Sequence, residues 1–385
     1  MLPSSVAVRA CLAGALFVVA SLLPAFAGAQ DKDLVFTPAP TALNPTQRQL
    51  LDIARAGERI VAVGAAGLII TSDDYGESWR QANVPVSATL TAVVFPTPEL
   101  GWAVGHAGVI LHSGDGGSSW QLQFDGRRAN AAFLTFAAER RAELEELLTA
   151  LDEDPAADSS AREDLEYALE DAIFLEEDAQ LAVETGPADP FLSVAFMDAR
   201  RGIAAGAYGM LYRTDDGGEN WEIALDGIEN PDRFHYYSIQ ATAAGEVFLA
   251  GEAGLLYRSV DGGEHFERYY DVYDGSLFGA LNMESGVLTF GLRGNLFVYD
   301  EQGDGWEALP TNNETSLYGG AVLADGSALL LGAGGGLLRR DSSGTESLYQ
   351  HPSRSTFSAA LEYPQGKIWL VGMDGLSQFA EASPR

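Results

Sequence analysis

Cysteine is nearly absent from this 385-residue chain, and positive charge is scarce. The one cysteine, Cys11, lies in an apolar run near the amino terminus, and Val8-Arg9-Ala10 before it is not a lipobox. The sequence therefore predicts a mature chain without disulfides, thiol chemistry or a cysteine metal site. Asp and Glu number 55 against 23 Lys and Arg, giving a formal net charge of −32. Such a chain repels polyanions, so we expect no nucleic-acid partner and no direct binding to anionic membranes.

The amino terminus has the pattern of an export signal. Arg9 precedes an apolar run over residues 10–27, and Ala25-Phe26-Ala27 offers a small-x-small cleavage site. This pattern predicts a cleaved signal peptide over residues 1–29. No second apolar span follows, which favours a periplasmic or secreted protein over a membrane anchor.

One phrase recurs along the rest of the chain. In its clearest copy, residues 101–120, two short apolar runs are followed by a turn of the form Ser-x-Asp-x-Gly and by a tryptophan. The copies are spaced by about 40 residues, a period of the propeller-blade class, and one interval is about sixty residues longer. The repeats are anchored by glycines at Gly64, Gly105, Gly206, Gly251, Gly291, Gly332 and Gly372.

Each repeat reads as four short strands separated by turn signals. Seven such repeats predict an all-β fold, a seven-bladed β-propeller with four-stranded antiparallel blades, over residues 31–126 and 187–385. The last repeat lacks a fourth strand, and we expect Leu34-Val35-Phe36 to supply it and close the ring.

Alternation within the first strands predicts two sets of side chains on opposite faces of the sheet. The set expected between blades is Leu90, Leu192, Tyr237, Leu277, Leu317 and Phe357. The set expected at the central axis is Thr91, Ser193, Ser238, Phe278, Tyr318 and Ser358.

The long interval, residues 127–186, differs in composition from the repeats. It is rich in Ala, Leu and Glu, with apolar residues at helical spacing in 137–151 and 161–183 and a break near Pro155. The pattern predicts an acidic α-helical hairpin inserted between blades 2 and 3. Because it joins a fourth strand to the next first strand, we expect it on the face opposite the Asp-containing turns.

The turn phrase matches the Asp-box, or BNR repeat. A short acceptor side chain there binds backbone N–H groups of its own turn, and the following aromatic residue packs between blades. We therefore interpret these residues as structural, with no metal site. They are Asp74, Trp79, Asp115, Trp120, Asp216, Trp221, Asp261 and Phe266.

The fuller phrase, Gly-Trp-Ala-Val-Gly-x-x-Gly followed by the Asp-box, resembles the photosystem II stability/assembly factor family and its non-photosynthetic bacterial branch. Residues 101–120 are the best match, and the resemblance covers residues 49–379 except the hairpin. It implies a non-enzymatic propeller that scaffolds an envelope membrane complex. For bacteria outside photosynthesis it implies association with an RND-type transporter. It implies no cofactor.

Two other functions remain open at this point. A sialidase-like glycoside hydrolase shares the Asp-box and needs an arginine clamp and a tyrosine nucleophile. Its candidates here are Arg48, Arg233 and Arg354 with Tyr237 or Tyr318. The second alternative is a carbohydrate or small-ligand binder that uses the central channel.

A protein partner is the function that the sequence favours. Exposed aromatic residues dominate binding hot spots, and acidic helix faces steer basic partners. Two aromatic runs fall on the expected hairpin face, and with the hairpin acids they form the predicted binding set. These residues are Phe234, Tyr236, Tyr237, Tyr270, Tyr273, Glu145, Glu166 and Glu170.

Overall fold

Residues 33–153, 158–284, 286–300, 305–363 and 366–379 are described by a computed structural model of the chain. The predicted signal peptide lies outside them. Within the described part, no helix is both long enough and apolar enough to cross a membrane.

Strands that follow one another in the described chain pair into seven antiparallel sheets, six with four strands and the last with three. The strands of sheets 1 to 3 are β1 Leu50–Ala56, β2 Arg59–Gly64, β3 Ile69–Ser72, β4 Arg80–Gln81; β5 Leu90–Val94, β6 Gly101–Gly105, β7 Ile110–Ser113, β8 Gln121–Phe124; β9 Phe191–Phe196, β10 Gly202–Gly206, β11 Leu211–Thr214, β12 Glu222–Ile223.

Sheets 4 to 7 continue the same up-and-down order. Their strands are β13 Tyr236–Ala241, β14 Val247–Gly251, β15 Leu256–Ser259, β16 Glu267–Arg268; β17 Leu277–Met283, β18 Gly286–Gly291, β19 Leu296–Asp300, β20 Gly305–Leu309; β21 Leu317–Val322, β22 Ala328–Gly332, β23 Gly336–Arg340, β24 Glu346–Gln350; β25 Phe357–Tyr363, β26 Lys367–Gly372, β27 Gly375–Phe379. The repeat pattern therefore predicted these blade-like sheets correctly.

The hydrophobic core lies between neighbouring sheets, where the buried side chains of one sheet meet those of the next. First strands of neighbouring sheets are also joined by hydrogen bonds. The Val93 amide donates to Asp52 Oδ2 (2.8 Å), and Thr91 Oγ1 donates to the Phe191 carbonyl (2.7 Å). Sheet 7 contacts sheet 1 in the same way, since Ser358 Oγ donates to the Leu50 carbonyl (3.4 Å).

The glycine that ends the second strand has a steric role in sheets 1 to 5 and in sheet 7. At Gly105, a Cβ would lie 2.1 Å from the Thr89 carbonyl oxygen, so any larger residue collides with the chain that enters the first strand. In sheets 1 to 6 this glycine is followed by a three-residue 3₁₀ turn whose central residue has a positive φ. The recurring spacing of the phrase thus reflects backbone packing.

The prediction that Leu34-Val35-Phe36 is the fourth strand of sheet 7 is wrong. These residues form a turn, and Val35 is buried against Val84 and Val86 in the connection between β4 and β5. The Leu34 carbonyl accepts a hydrogen bond from the Ser87 amide (2.8 Å). Strand β4 has only two residues, so the connection after it keeps backbone groups free to bind this segment.

The inserted segment forms the two predicted helices, α1 Gly126–Glu153 and α2 Ser159–Thr185. Helix α1 begins two residues after β8 ends, well before the residue at which its apolar periodicity becomes clear. Asn130 Nδ2 donates to the Ala182 carbonyl (2.7 Å), and Arg141 pairs with Glu176 (2.9 Å), so the helices lie side by side. Asp158 caps α2 by accepting from the Ser160 amide (3.0 Å).

Candidate protein-binding face

Each first strand carries a β-bulge at its second residue. In β5, for example, Leu90 pairs with Gly105 and Ala92 with Val104, which leaves Thr91 outside the register. A bulge redirects the side chain of its extra residue. Here all seven extra residues line one cavity of about 320 Å³ between the first strands. They are Leu51, Thr91, Leu192, Tyr237, Phe278, Tyr318 and Ser358.

The sequence placed two of these positions wrongly. In sheets 3 and 4 the buried residues are Phe191 and Tyr236, both fully buried, so Leu192 and Tyr237 move from the inter-sheet set to the cavity. The apolar pairs Phe191-Leu192 and Tyr236-Tyr237 do not show which member starts the strand. A bulge also breaks the strict alternation on which the assignment relied.

Aromatic side chains from four neighbouring sheets form a continuous row at this cavity, which we call the aromatic arc. Its members are Tyr208, His235, Tyr237, Phe278 and Tyr318. Ring centroids along the row are separated by 4.7, 6.0, 5.3 and 5.3 Å. Tyr208 is 51% exposed and Tyr318 is 40% exposed, so both ends of the row are open to a partner.

The start of the row is held by a polar contact. The Tyr208 amide donates to His235 Nδ1 (2.9 Å), and Tyr208 adopts a positive φ of 51° in the 3₁₀ turn before β11. Ala66, Ala107 and Ala253 occupy the corresponding position in other sheets with the same sign of φ. The turn therefore tolerates a side chain and does not require a tyrosine, which points to a role for this ring outside folding.

The described lining residues include one ionisable carboxylate, Asp52. Burial raises its pKa from 3.8 to about 6, although the Val93 and Ile53 amides donate to its oxygens at 2.8 Å. At neutral pH the carboxylate is charged, in a wall that mixes apolar side chains with hydroxyl and amide groups. Burial also raises the pKa of the half-buried Tyr237 hydroxyl, and Glu252 adds to the effect. The field at the cavity is thus negative and favours a cationic group over an anionic one.

The helical hairpin lies on the same face as the arc. The first residue of α1 contacts the 3₁₀ turn of sheet 2, where a Cβ on Gly126 would lie 2.7 Å from the Ala107 carbonyl oxygen. The Arg233 guanidinium lies 4.9 Å from the Phe133 ring of α1, and its Nε donates to the Tyr208 carbonyl (3.3 Å). Arg233 therefore links the hairpin to the end of the arc.

The predicted binding set is only partly accessible. Tyr236 is wrong as a surface residue, because it packs between sheets 3 and 4 with no exposed area. Phe234 and Tyr273 are half-buried against inter-sheet clusters. Tyr270 is 57% exposed, with its hydroxyl 3.2 Å from Glu229. Tyr237 is the one member that lines the cavity.

The predicted acids lie on the exposed surface of the hairpin. Glu145 pairs with Arg141 and Glu166 with Arg162, both at 2.9 Å, and Glu170 is exposed. The sequence missed Tyr208 as a binding residue, and it assigned Phe278 and Tyr318 to the axis without proposing that they bind a partner. Aligning the second residue of every first strand and asking where it is aromatic would have found the last two.

The Asp-box residues lie at the opposite ends of the strands, in the turns between third and fourth strands. In the second copy, Asp115 accepts from the Ser119 amide (2.9 Å) and from Ser113 Oγ (2.8 Å), and Gly117 N–H donates to Ser113 Oγ (2.8 Å). Trp120 is buried, with its ring 5.9 Å from Phe95. The same contacts recur at Asp74 with Trp79, at Asp216 with Trp221 and at Asp261 with Phe266.

These hydrogen bonds lower the carboxylate pKa values. Donation by the Ser78 side chain and amide lowers the pKa of Asp74 from 3.8 to about 2. In the fourth copy, Asp261 stands with Glu264 and His265 in an exposed turn, close enough together to offer ligands to a cation. The Asp261 oxygens already accept from Ser259, from two amides and from the His265 ring, which accounts for the cluster as turn structure.

The residues named for a sialidase divide between two environments. Tyr237 and Tyr318 line the cavity. The Arg233 guanidinium is turned instead toward the hairpin, where it meets Phe133 and lies 4.0 Å from Asp178. Arg48 and Arg354 are exposed in the connections that precede β1 and β25. Arg233 is thus engaged outside the cavity that a clamped carboxylate would occupy.

A family model described as photosynthesis system II assembly factor YCF48 matches residues 35–143 and 177–271, which is more than half of the chain. The chain belongs to this family. The matched residues leave out 144–176, the distal part of the hairpin. None of the curated proteins matches the chain.

Several solved structures are similar in fold. One is YCF48 bound to D1 peptide, with 17% identity, a TM-score of 0.59, and coverage of 90% of this chain and 100% of that chain. YCF48 from Cyanidioschyzon merolae has 15% identity, a TM-score of 0.57, and coverage of 89% and 98%. The WD40 β-propeller domain of Doa1 has 10% identity, a TM-score of 0.57, and coverage of 91% and 97%. The neighbours agree with the propeller-like arrangement of the sheets.

Proposed function

We propose that this chain is an exported, non-enzymatic assembly or accessory factor that binds a protein of a cell-envelope membrane complex. In this proposal the seven sheets are the blades of a closed seven-bladed propeller, and the hairpin is inserted between blades 2 and 3. The contact between Ser358 and Leu50 supports closure between the last and first blades. The partner is a membrane transporter, for which the RND type is the first candidate.

The observation that carries the proposal is the aromatic arc. Three of its rings stand at the bulge position, which Thr91 and Ser358 occupy in other sheets, so the bulge does not require an aromatic residue. Aromatic rings at an open cavity bury a large area of a partner with little loss of conformational entropy. We interpret the arc as the anchor for a segment of the partner protein.

The family supports a protein ligand. One solved relative of this fold is YCF48 with a bound D1 peptide. A peptide segment is a suitable size for a cavity of about 320 Å³ with an open mouth. The net charge of −32 and the Asp52 carboxylate favour a segment that carries positive charge.

Site-specific photo-crosslinking in cells tests this proposal. A photoreactive residue at Phe278 should capture one envelope membrane protein, identified by mass spectrometry, and a second at Val260 should not. Val260 is 71% exposed and lies beside an Asp-box, on the opposite face. Equal capture at the two positions, or capture of soluble proteins alone, would contradict the proposal.

Export is tested separately. The full chain and a chain that lacks residues 2–29 are expressed with the same reporter tag in the organism's own cells. We expect only the full chain in the periplasmic or secreted fraction. Recovery of both chains in the cytoplasm would contradict export and therefore an envelope partner.

A further inference from the structure

Helix α2 carries a heptad repeat on its exposed surface. Three consecutive seven-residue units begin with Glu-Asp and carry one large apolar residue at the fifth position. The apolar residues are Tyr167, Phe174 and Leu181, and their exposed fractions are 61%, 58% and 57%. With a rise of about 1.5 Å per residue, they form a row about 21 Å long, which we call the α2 stripe.

The α2 stripe faces away from α1. The buried residues of α2 are Ala172 and Ala179, which also lie seven residues apart and face the hairpin interior. Phe174 follows Ala172 by two residues, a rotation of about 200° around the helix. Packing within the hairpin therefore does not explain the stripe. Large apolar side chains in a regular exposed row are typical of an interaction surface.

Acids border the stripe along its whole length. In the described structure no Lys or Arg pairs with Glu163, Asp164, Glu170, Asp171 or Glu177. The sixth acid, Asp178, lies 4.0 Å from Arg233 Nη1, and Arg233 contacts the first residue of the aromatic arc. The stripe is therefore continuous with the proposed binding face.

We propose that the α2 stripe binds a basic amphipathic helix of the partner protein. This inference rests on the proposed function and names the partner's chemistry. A repeat of seven residues matches the spacing with which two helices pack side by side, and flanking charges select the sequence of the opposing helix. A partner helix with apolar residues at heptad spacing and Lys or Arg beside them satisfies both features.

The acids beside the stripe also argue against two other occupants. Two copies of this chain would bring six carboxylates against six, so the stripe does not favour a homodimer. An anionic bilayer is repelled by the same charges. The hairpin tip, which carries Tyr167 and Phe174 of the stripe, is one of the segments that the family match leaves out.

Isothermal titration calorimetry with a designed peptide tests the inference. The probe is a basic helix of three heptads with Leu at the first and fourth positions and Lys elsewhere. The control probe has the same composition, with Leu distributed around the helix. We expect the full chain to bind the first probe and to bind the control probe more weakly by more than about tenfold. Equal binding of the two probes would overturn the inference, because net charge alone would explain it.

Substitutions in the apolar row give the sharpest result. The triple variant Tyr167→Ser, Phe174→Ser, Leu181→Ser should raise Kd for the probe by more than about tenfold. The control variant Leu147→Ser, Val260→Ser removes exposed apolar side chains elsewhere and should leave Kd within about twofold. Unchanged binding by the triple variant would overturn the inference.

If the triple variant fails to form helix α2, charge variants that leave the apolar row in place still test the inference. Glu170→Gln with Glu177→Gln removes two acids beside the stripe, and Glu139→Gln with Glu146→Gln removes two exposed acids at the same spacing on α1. We expect only the first pair to raise Kd several-fold and to reduce its dependence on salt. An equal effect of both pairs would overturn the inference.

Other occupants are tested with the same proteins. Light scattering that shows a dimer lost in the triple variant would replace the partner helix with a second copy. Cosedimentation with phosphatidylcholine vesicles that depends on the stripe would replace it with a membrane. Crosslinking at Phe278 separates this inference from the proposed function: full capture of the envelope protein by the triple variant would leave the proposed function intact and overturn the role of the stripe.

Discussion

The two ends of the strands in this molecule use polar and aromatic residues in opposite ways. At the Asp-box end, the carboxylates of sheets 1 to 4 accept hydrogen bonds from their own turns, and the following aromatic ring is buried in sheets 2 and 3 and half-buried in sheets 1 and 4. At the hairpin end, aromatic rings line an open cavity and the acids of α2 are left in solvent. The first end repeats its sequence in sheets 1 to 4, whereas the bulge position at the second end holds aliphatic, hydroxyl or aromatic side chains.

This difference distinguishes residues that the fold requires from residues that are free to serve binding. A turn of one geometry selects a hydroxyl residue, Asp, Gly and an aromatic residue in each of sheets 1 to 4. A bulge position that any side chain can occupy holds Thr91 in one sheet and Phe278 or Tyr318 in others. Residues that break the repeat are therefore better guides to binding than residues that define it.

Truncating a buried Asp-box aromatic should produce the largest loss of stability. Trp120→Ala removes a ring that is 5% exposed and packs on Phe95, which should lower the free energy of unfolding by about 3–5 kcal/mol. Urea unfolding followed by far-UV circular dichroism measures it.

The matched change at the other end is Tyr208→Ala, which should cost no more than about 0.5 kcal/mol. Alanine already occupies the same left-handed turn position at Ala66, Ala107 and Ala253. Similar losses in the two variants would show that the arc supports the fold, and the comparison would fail.

A smaller loss is expected when an Asp-box carboxylate is removed. Asp115→Ala takes away the acceptor for the Ser119 amide and for two hydroxyls, which should lower the free energy of unfolding by about 1–2 kcal/mol. Asp171→Ala is the control, because this acid is exposed on α2 and alanine favours helix. If Asp115→Ala is as stable as Asp171→Ala, the turn does not depend on its aspartate.

The fold was largely predictable because its signals are local and repeated. The glycine at the end of each second strand, as at Gly105, and the Asp-box that follows the third strand fix the strand order. The segment around Val35 was misassigned because its partner depends on which distant backbone groups are free. Only the three-dimensional structure shows that the connection after β4 has them.

The candidate site was harder to predict for two physical reasons. A bulge shifts the register by one residue, which turned Tyr236 inward and Tyr237 toward the cavity. The arc also joins residues from sheets that are distant in sequence, and no single repeat contains the row. The helical spacing of apolar residues in α2 predicted the hairpin, but it did not distinguish the exposed row of Tyr167, Phe174 and Leu181 from the residues that pack inside it.

Asp74, at the Asp-box end, and Asp52, at the cavity, should change the free energy of unfolding with pH in opposite directions. The folded pKa of Asp74, about 2, lies below the ordinary 3.8, so its contribution to stability is present above pH 4 and is lost as pH falls toward 2. The folded pKa of Asp52, about 6, lies above 3.8, so the folded state binds the extra proton and stability declines as pH rises from 4 to 6.

Two variants separate the two contributions when the free energy of unfolding is measured in urea over a series of pH values. Asp74→Asn should flatten the curve between pH 2 and 4. Asp52→Ser should flatten it between pH 4 and 6 while it keeps an acceptor for the Val93 amide, as Ser193 does for the Ile239 amide in sheet 3. An unchanged slope in the Asp52→Ser variant would show that burial does not raise the pKa of this carboxylate in the folded state.

A change at Tyr318 should affect stability little and binding strongly. Tyr318→Ser replaces a ring that is 40% exposed with the residue found at the same bulge position in sheet 7, Ser358. Backbone pairing on either side of the bulge is unaffected, so the free energy of unfolding should change by no more than about 0.5 kcal/mol. Crosslinking from Phe278 to the envelope partner should nevertheless fall sharply, because a hot-spot ring next to it is gone. If the variant is destabilised by several kcal/mol, Tyr318 belongs to the core, and the division between the two ends of the strands would have to be redrawn.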